Sequence, residues 1–206
     1  MATQYYENNA LELAKIYQSH CFESLHANWL THLEPFLSIK GMTFLDIGAG
    51  AGRDAKFIAE NVEQAKVVAV EPISSLNRLG QAYTRDLPID WYRDQLPCLY
   101  KVKKHCEQFD VILVSSVFNY LDEHASIQAL LTIRNLLKPK GLFIVKLRHC
   151  EDDAELQKRG LVNIEAKRLD EMAKSADLIC YEITPKEDDA QGRHHTKWQT
   201  ILFRPI

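Results

Sequence analysis

The sequence predicts a doubly wound α/β fold: a mostly parallel, seven-stranded sheet with helices on both faces, an antiparallel pair at one edge and an N-terminal helical cap. Two observations carry this expectation. Five short apolar runs, Thr43–Ile47, Val67–Val70, Ile89–Tyr92, Phe109–Val114 and Leu142–Leu147, alternate with stretches long enough for helices. Runs that are apolar on both faces and separated by helices indicate parallel strands covered on both sides. Two later runs, Leu178–Ile183 and Thr196–Phe203, are joined by the polar loop Thr184–Arg193 with no helix between them. That connection suits an antiparallel pair.

The 206 residues suit one α/β domain able to bury a full sheet. We expect a helical cap over residues 1–40, a cofactor-binding core over 41–149 and a substrate-side part over 150–206. Before the first strand run, Leu11, Leu13, Ala14, Ile16 and Tyr17 fit one helix. Phe22, Leu25, Trp29, Leu30, Leu33 and Phe36 fit a second at 3–4 spacing. Pro35 implies a bend or an end near it.

The net charge of -3 and the 26% charged residues are ordinary for a soluble domain. A nucleic-acid binder shows a basic excess or stripe. The only basic cluster, Lys101, Lys103, Lys104 and His105, reads as a solvated helix face, so no nucleic-acid partner is expected. Five cysteines with no C-x-x-C argue against a disulfide framework or zinc ribbon. The polar start carries no signal-peptide core, and no apolar run approaches the ~20 residues of a membrane helix. The expectation is a reduced, cytoplasmic enzyme with no membrane partner. Oligomeric state is not legible.

The strongest chemical signal is Phe44-Leu45-Asp46-Ile47-Gly48-Ala49-Gly50-Ala51-Gly52-Arg53. A buried strand runs into a glycine-rich turn and then a helix, Asp54 to Glu60. Glycines let backbone approach a ligand, and the helix start offers free N–H groups. A dinucleotide fingerprint would need a small residue at position 53, which is arginine. Val67-Val68-Ala69-Val70-Glu71-Pro72 is a second buried strand ending in an acid. A carboxylate there can accept hydrogen bonds from both hydroxyls of a ribose.

The pattern Asp46-x-Gly48-x-Gly50-x-Gly52 resembles the first motif of class I, Rossmann-like S-adenosylmethionine-dependent methyltransferases. Further segments resemble that family in order. Tyr92-Arg93-Asp94-Gln95-Leu96-Pro97 is similar to its D-x-L-P segment, whose acid receives the adenine amino group. Asp94 is the match and Asp90 the competitor. Phe109 to Ser116 resembles its fourth strand. Leu136-Leu137-Lys138-Pro139-Lys140-Gly141 resembles the segment before its fifth strand, with Lys140 in place of the commoner glycine. Trp198 to Arg204 looks similar to the last strand of small bacterial members that carry G-R-D after the glycine loop. The resemblance spans about Thr43 to His149. It implies the seven-stranded methyltransferase-type sheet, S-adenosylmethionine as cofactor, and a cofactor site at Asp46, Gly48, Gly50, Gly52, Glu71, Pro72, Asp94, Gln95, Leu96 and Ser115.

For the methyl acceptor the sequence says less. The [N/D/S]-P-P-Y segment of amino-directed enzymes is replaced by Ser115-Ser116-Val117-Phe118, and a Pro-Cys nucleophile is absent. With the acidic balance, this favours a small molecule methylated on oxygen or nitrogen. The sulfonium methyl is already activated, so positioning supplies much of the catalysis. Candidates near the reaction are Tyr17, Tyr120, His149, His194, His195 and Trp198. His149 and Arg148 follow the fifth strand run and are expected to face the acceptor, His149 as a base and Arg148 as a two-pronged anion contact. Tyr5 and Tyr6 open a segment that could close over the cofactor. The pair His194-His195 has no carboxylate or cysteine at a ligand spacing, so no metal is expected. The alternatives are a non-catalytic binding module of the same fold and an NAD-type oxidoreductase.

Overall fold

The structure, a computed structural model, describes residues Ala2–Ile206. Strands β1 (Thr43–Ile47), β2 (Lys66–Val70), β3 (Ile89–Tyr92), β4 (Phe109–Ser115) and β5 (Leu137–Cys150) pair in parallel in the order β3-β2-β1-β4-β5. Beyond β5 the sheet continues through β8 (Thr196–Pro205) to β6 (Leu178–Ile183), and β8 is antiparallel to both neighbours. The expected loop 184–193 is not all loop. Glu187–Asp188 forms a short strand, β7, that pairs with β8 opposite Trp198 and Lys197. Pro185, which has no N–H to give, stands in the gap between β6 and β7. The sheet therefore has eight strands where seven were expected.

Side chains alternate across the sheet as the two-residue period demands. Leu45, Ile47, Val68, Val70, Ile112 and Val114 face a core closed by α8 (Glu123–Leu136) and α10 (Ala166–Lys174). Phe44, Val67, Ala69, Val111 and Leu113 face the opposite core, which holds Ala55 and Ile58 of α5 (Arg53–Asn61). Two further helices, α6 (Ser74–Tyr83) and α7 (Tyr100–His105), follow β2 and β3. α9 (Asp153–Arg159) follows β5.

The cap consists of α1 (Ala2–Asn8), α2 (Ala10–Ser19), α3 (Phe22–His26) and α4 (Leu30–Leu37). One helix was expected over Phe22 to Phe36; two form, with Trp29 buried at the break, and Pro35 sits inside α4. Phe22, Trp29 and Leu33 enter the α5-side core, so the cap is packed onto the sheet. The carboxylate of Glu7 accepts from the N–H groups of Ser74 and Ser75 at 2.7 and 3.1 Å, which fastens α1 to the start of α6. Among the described residues, no helix is long and apolar enough to cross a membrane.

Packing at α6 yields a test. A Cβ added at Gly80 would lie 2.2 Å from the Trp91 ring, and the Trp91 indole N–H is bound to Thr84 Oγ1 at 3.0 Å. Helix propensity alone would favour alanine by ~1 kcal/mol. The pinned ring reverses the sign, so Gly80→Ala is expected to destabilise the protein by about 1–3 kcal/mol. Chemical denaturation checks this; a more stable variant would mean that the ring moves aside freely.

Candidate active site

In an open α/β sheet the strand order reverses between two neighbours, and ligands bind outside the carboxyl ends there. Here the reversal falls between β1 and β4. A cavity of about 460 Å³ opens above it, walled by the loops after β1, β2, β3 and β4, by the cap, by β5 and by residues 187–193. The loops after β1 and β4 come into contact. A Cβ at Gly48 would lie 2.4 Å from Val117, and Gly48 has φ +77°, so only glycine fits. Ser116, across from it, holds a left-handed φ of +59° without being glycine, a strained conformation of the kind found at functional loops.

The cofactor-site residues expected from sequence mostly share this wall. Asp46, Gly48, Gly50, Glu71, Pro72, Asp94, Gln95, Leu96 and Ser115 line the cavity. Gly52 does not; with φ +85° it caps the start of α5. Asp90 does not line it either. Asp94 has a local duty besides. One of its oxygens accepts from the N–H groups of Lys101 and Val102, at 2.7 and 3.2 Å, and the other from Gln95 N–H at 2.9 Å.

Two acids dominate the electrostatics. Glu71 is 5% exposed and accepts from Gly50 N–H at 2.9 Å and from Ile73 N–H at 2.8 Å. Burial nevertheless raises its pKa to about 7. Asp46 is 3% exposed, and its Oδ2 has no hydrogen-bond partner among the described residues. Burial, with Asp54 adding to it, pushes Asp46 well above the ordinary carboxylate range. A buried carboxylate oxygen without a donor is costly, so this atom is set to receive one from a ligand.

Beside Asp46 lies a chain of three groups. Arg53 Nε donates to Asp54 Oδ1 at 2.6 Å, and Asp54 Oδ2 is 3.1 Å from His26 Nε2. Burial alone would raise Asp54, but Arg53 and His26 hold it far below the usual range. Asp54 is therefore an acceptor, so the His26 proton sits on Nε2. Burial depresses His26 against the opposing pull of Asp54, which keeps the ring neutral at neutral pH, and its buried Nδ1 has no partner among the described residues. Arg53, Asp54 and His26 all line the cavity. The terminal guanidinium nitrogens of Arg53 make no hydrogen bond among the described residues.

The expectation for His149 is corrected. β5 runs to Cys150, so Arg148 and His149 lie within the strand, and neighbours on a strand point to opposite faces. Arg148 lines the cavity. His149 does not; it faces Glu165, at 3.6 Å, before α10. The same alternation brings Lys146 into the cavity, where it bonds Leu25 C=O and Glu187, each at 2.7 Å. Sequence reasoning missed Lys146, although the two-residue period pointed to it. It also missed His26, for which the chain offers no local signal.

Of the remaining candidates, Tyr6, Tyr17, Tyr120 and Trp198 line the wall, and the hydroxyls of Tyr6 and Tyr120 are hydrogen-bonded. His194 and His195 lie outside it. Folding does give His195 the partners the sequence lacked: Glu155 and Cys150 approach it with ligand atoms within 4.8 Å. Arg148 and Arg159 both sit on that Glu155 carboxylate, however, and two positive charges oppose a cation there.

Over residues 45–143 the sequence matches a family described as a methyltransferase domain. No curated protein sequence matches the chain. Among solved structures, a TehB-like SAM-dependent methyltransferase from Corynebacterium glutamicum is 17% identical, covers 99% of this chain and 98% of its own, and gives a TM-score of 0.63. The N-methyltransferase NodS from Bradyrhizobium japonicum is 19% identical over 85% of this chain and 93% of its own, with a TM-score of 0.61. The 4+2 cyclase SpnF is 14% identical over 98% and 94%, with a TM-score of 0.71. At such identities the likeness is one of fold, and the cyclase shows that the fold does not fix the reaction. Residues 45–143 are thus similar in sequence to a methyltransferase domain, and the chain shares its fold with S-adenosylmethionine-dependent methyltransferases.

Proposed function

We propose that this chain transfers the methyl group of S-adenosylmethionine to the oxygen or nitrogen of a small molecule. The observation that carries this is the pair of unmet polar groups on β1 and at the start of α5. Asp46 offers a buried carboxylate oxygen with no donor, and Arg53 offers guanidinium nitrogens with no acceptor. An amino-acid group answers both at once, its ammonium at Asp46 and its carboxylate at Arg53. The other groups on the wall agree with the rest of the cofactor: Glu71 suits a ribose diol, and Asp94, Gln95 and Leu96 suit an adenine. When bound, S-adenosylmethionine supplies an electrophilic methyl on a sulfonium centre.

The chain's own part is to orient and to exclude water. Tyr6 and Tyr17 come from the cap, and residues 187–193 approach from the other side, so reactants between them are flanked on two sides. Tyr120 and Arg148 stand on the acceptor side of the wall. The acceptor class is further supported by Ser115-Ser116-Val117-Phe118, which lacks the prolines of amino-directed nucleic-acid enzymes.

Two ligands separate the parts of the site. S-adenosylhomocysteine carries the amino-acid group and 5′-methylthioadenosine lacks it. Asp46→Asn and Arg53→Met are expected to weaken the first by about 10- to 100-fold, the cost of one charge-assisted hydrogen bond, and to leave the second unchanged. Glu71→Gln is expected to weaken both. Equal losses for both ligands in Arg53→Met, or binding of NAD in place of either, would overturn the assignment.

Binding is also expected to release protons. In the ligand-free protein Glu71 titrates at about 7, so below that pH it is largely protonated. Hydroxyl donors favour the carboxylate and lower its pKa, so affinity for S-adenosylhomocysteine should rise with pH and level off above about 7. Calorimetry in buffers of different ionisation enthalpy, at pH 6 and pH 8.5, checks this: proton release should be larger at the lower pH, and Glu71→Gln should reduce it, leaving the part due to Asp46.

A further inference from the structure

We propose that the acceptor carries an anionic group, a carboxylate or a phosphate, and that Arg148 and Arg159 bind it; this rests on the cofactor assignment above. The cavity wall is divided by charge. Around the glycine loop, Asp46, Asp54 and Glu71 face one guanidinium, Arg53. That half matches a cationic sulfonium. On the other side, Lys146 is matched by Glu187 at 2.7 Å and Arg193 by Asp189 at 2.6 Å. Arg148 and Arg159 are not matched singly. Both lean on the same Glu155 oxygen, at 2.5 and 3.0 Å, while His195 holds the other oxygen at 2.5 Å.

One carboxylate thus serves two arginines and a histidine, and the balance is positive. The hydrogen bonds are short of acceptors as well. Arg148 is 3% exposed and its buried Nε has no partner among the described residues. Its NH2 group is spent on Glu155 and on Thr196 Oγ1 at 3.2 Å. Arg159 Nε is close to Glu155 but out of line for a hydrogen bond, and it too is buried without a partner. Two buried guanidinium N–H groups without acceptors are costly, because desolvation is not offset. Toward the cavity, Nη1 of Arg148 and the terminal nitrogens of Arg159 make no hydrogen bond among the described residues, and an anion from outside the chain would meet them there.

The neighbours suit the same ligand. Tyr6 and Tyr120 line the cavity, and so does Tyr17, whose ring lies against Gly50 of the glycine loop. Burial raises Tyr17 and Tyr120 above the ordinary phenol range, so both remain protonated donors. Val117, Leu121 and Trp198 provide apolar wall for a carbon skeleton. Arginine is the side chain suited to planar, two-pronged contact with carboxylate or phosphate. Arg148 lies on β5, whose carboxyl end borders the reaction side of the crevice, so an anion held there would keep the rest of the acceptor beside the transferable methyl.

The test uses the full-length protein saturated with S-adenosylhomocysteine, titrated with benzoate, phenyl phosphate and benzamide. Benzoate or phenyl phosphate should bind at least about tenfold tighter than the uncharged benzamide. The stronger of the two identifies the carboxylate or the phosphate as the natural group. Arg159→Met should remove that preference while S-adenosylhomocysteine affinity stays within about twofold. Arg148→Met should do the same, and Arg159→Met keeps the test decisive if the more deeply buried Arg148 proves necessary for folding. Equal binding of benzamide and the anions, no binding of any probe to the loaded protein, or an anion preference that survives Arg159→Met would overturn the proposal. Failure of S-adenosylhomocysteine itself to bind is seen before any probe is added and would remove the cofactor assignment and this inference together.

Discussion

The Glu71 carboxylate joins the two loops on which the site is built. It stands at the tip of β2, accepts Gly50 N–H from the loop after β1 and Ile73 N–H from its own loop, and is almost wholly buried. Without those two donors a buried acid would be expensive. With them, the glycine loop is held against β2 in a shape that leaves its neighbouring groups facing the cavity. The arrangement remains costly, as the raised pKa shows, and that residual cost is what a ligand bearing donors can relieve.

The parts around this joint are fastened from both sides. The cap is held by Glu7 on the start of α6, by Gln18, whose side chain donates to Ala51 C=O at 2.9 Å, and by the His26–Asp54 contact. Residues 187–193 are held by Lys146–Glu187 and by Asp189, which accepts from Arg193 and from the Trp198 indole N–H at 2.7 Å. Almost every such tie is an ion pair or charge-assisted hydrogen bond in a partly buried setting. The ties hold specific shapes over the cavity while the apolar cores hold the sheet.

The fold was largely legible because its signals are local. Five buried runs, each cut off by helix-forming sequence, admit few arrangements other than a parallel sheet covered on both faces. The two helix-free runs at the end gave the antiparallel pair. Errors fell where local patterns compete with packing. The 3–4 spacing from Phe22 to Phe36 reads as one helix, yet burying Trp29 at a break suits the core better. The strand run Leu142–Leu147 hid three further residues at its carboxyl end, and that extension reversed the direction of His149.

By itself the sequence determined the strand order's raw material, the glycine loop that only tight backbone could form, and the acids at the strand tips, since each of these depends on residues adjacent in the chain. Only the tertiary structure decided which charges meet. His26 finds Asp54 across 28 positions, Lys146 finds Glu187, and Arg148 and Arg159 converge on one Glu155. The balance of charge in a buried wall is a property of distance and desolvation. Neither quantity exists until the chain has folded.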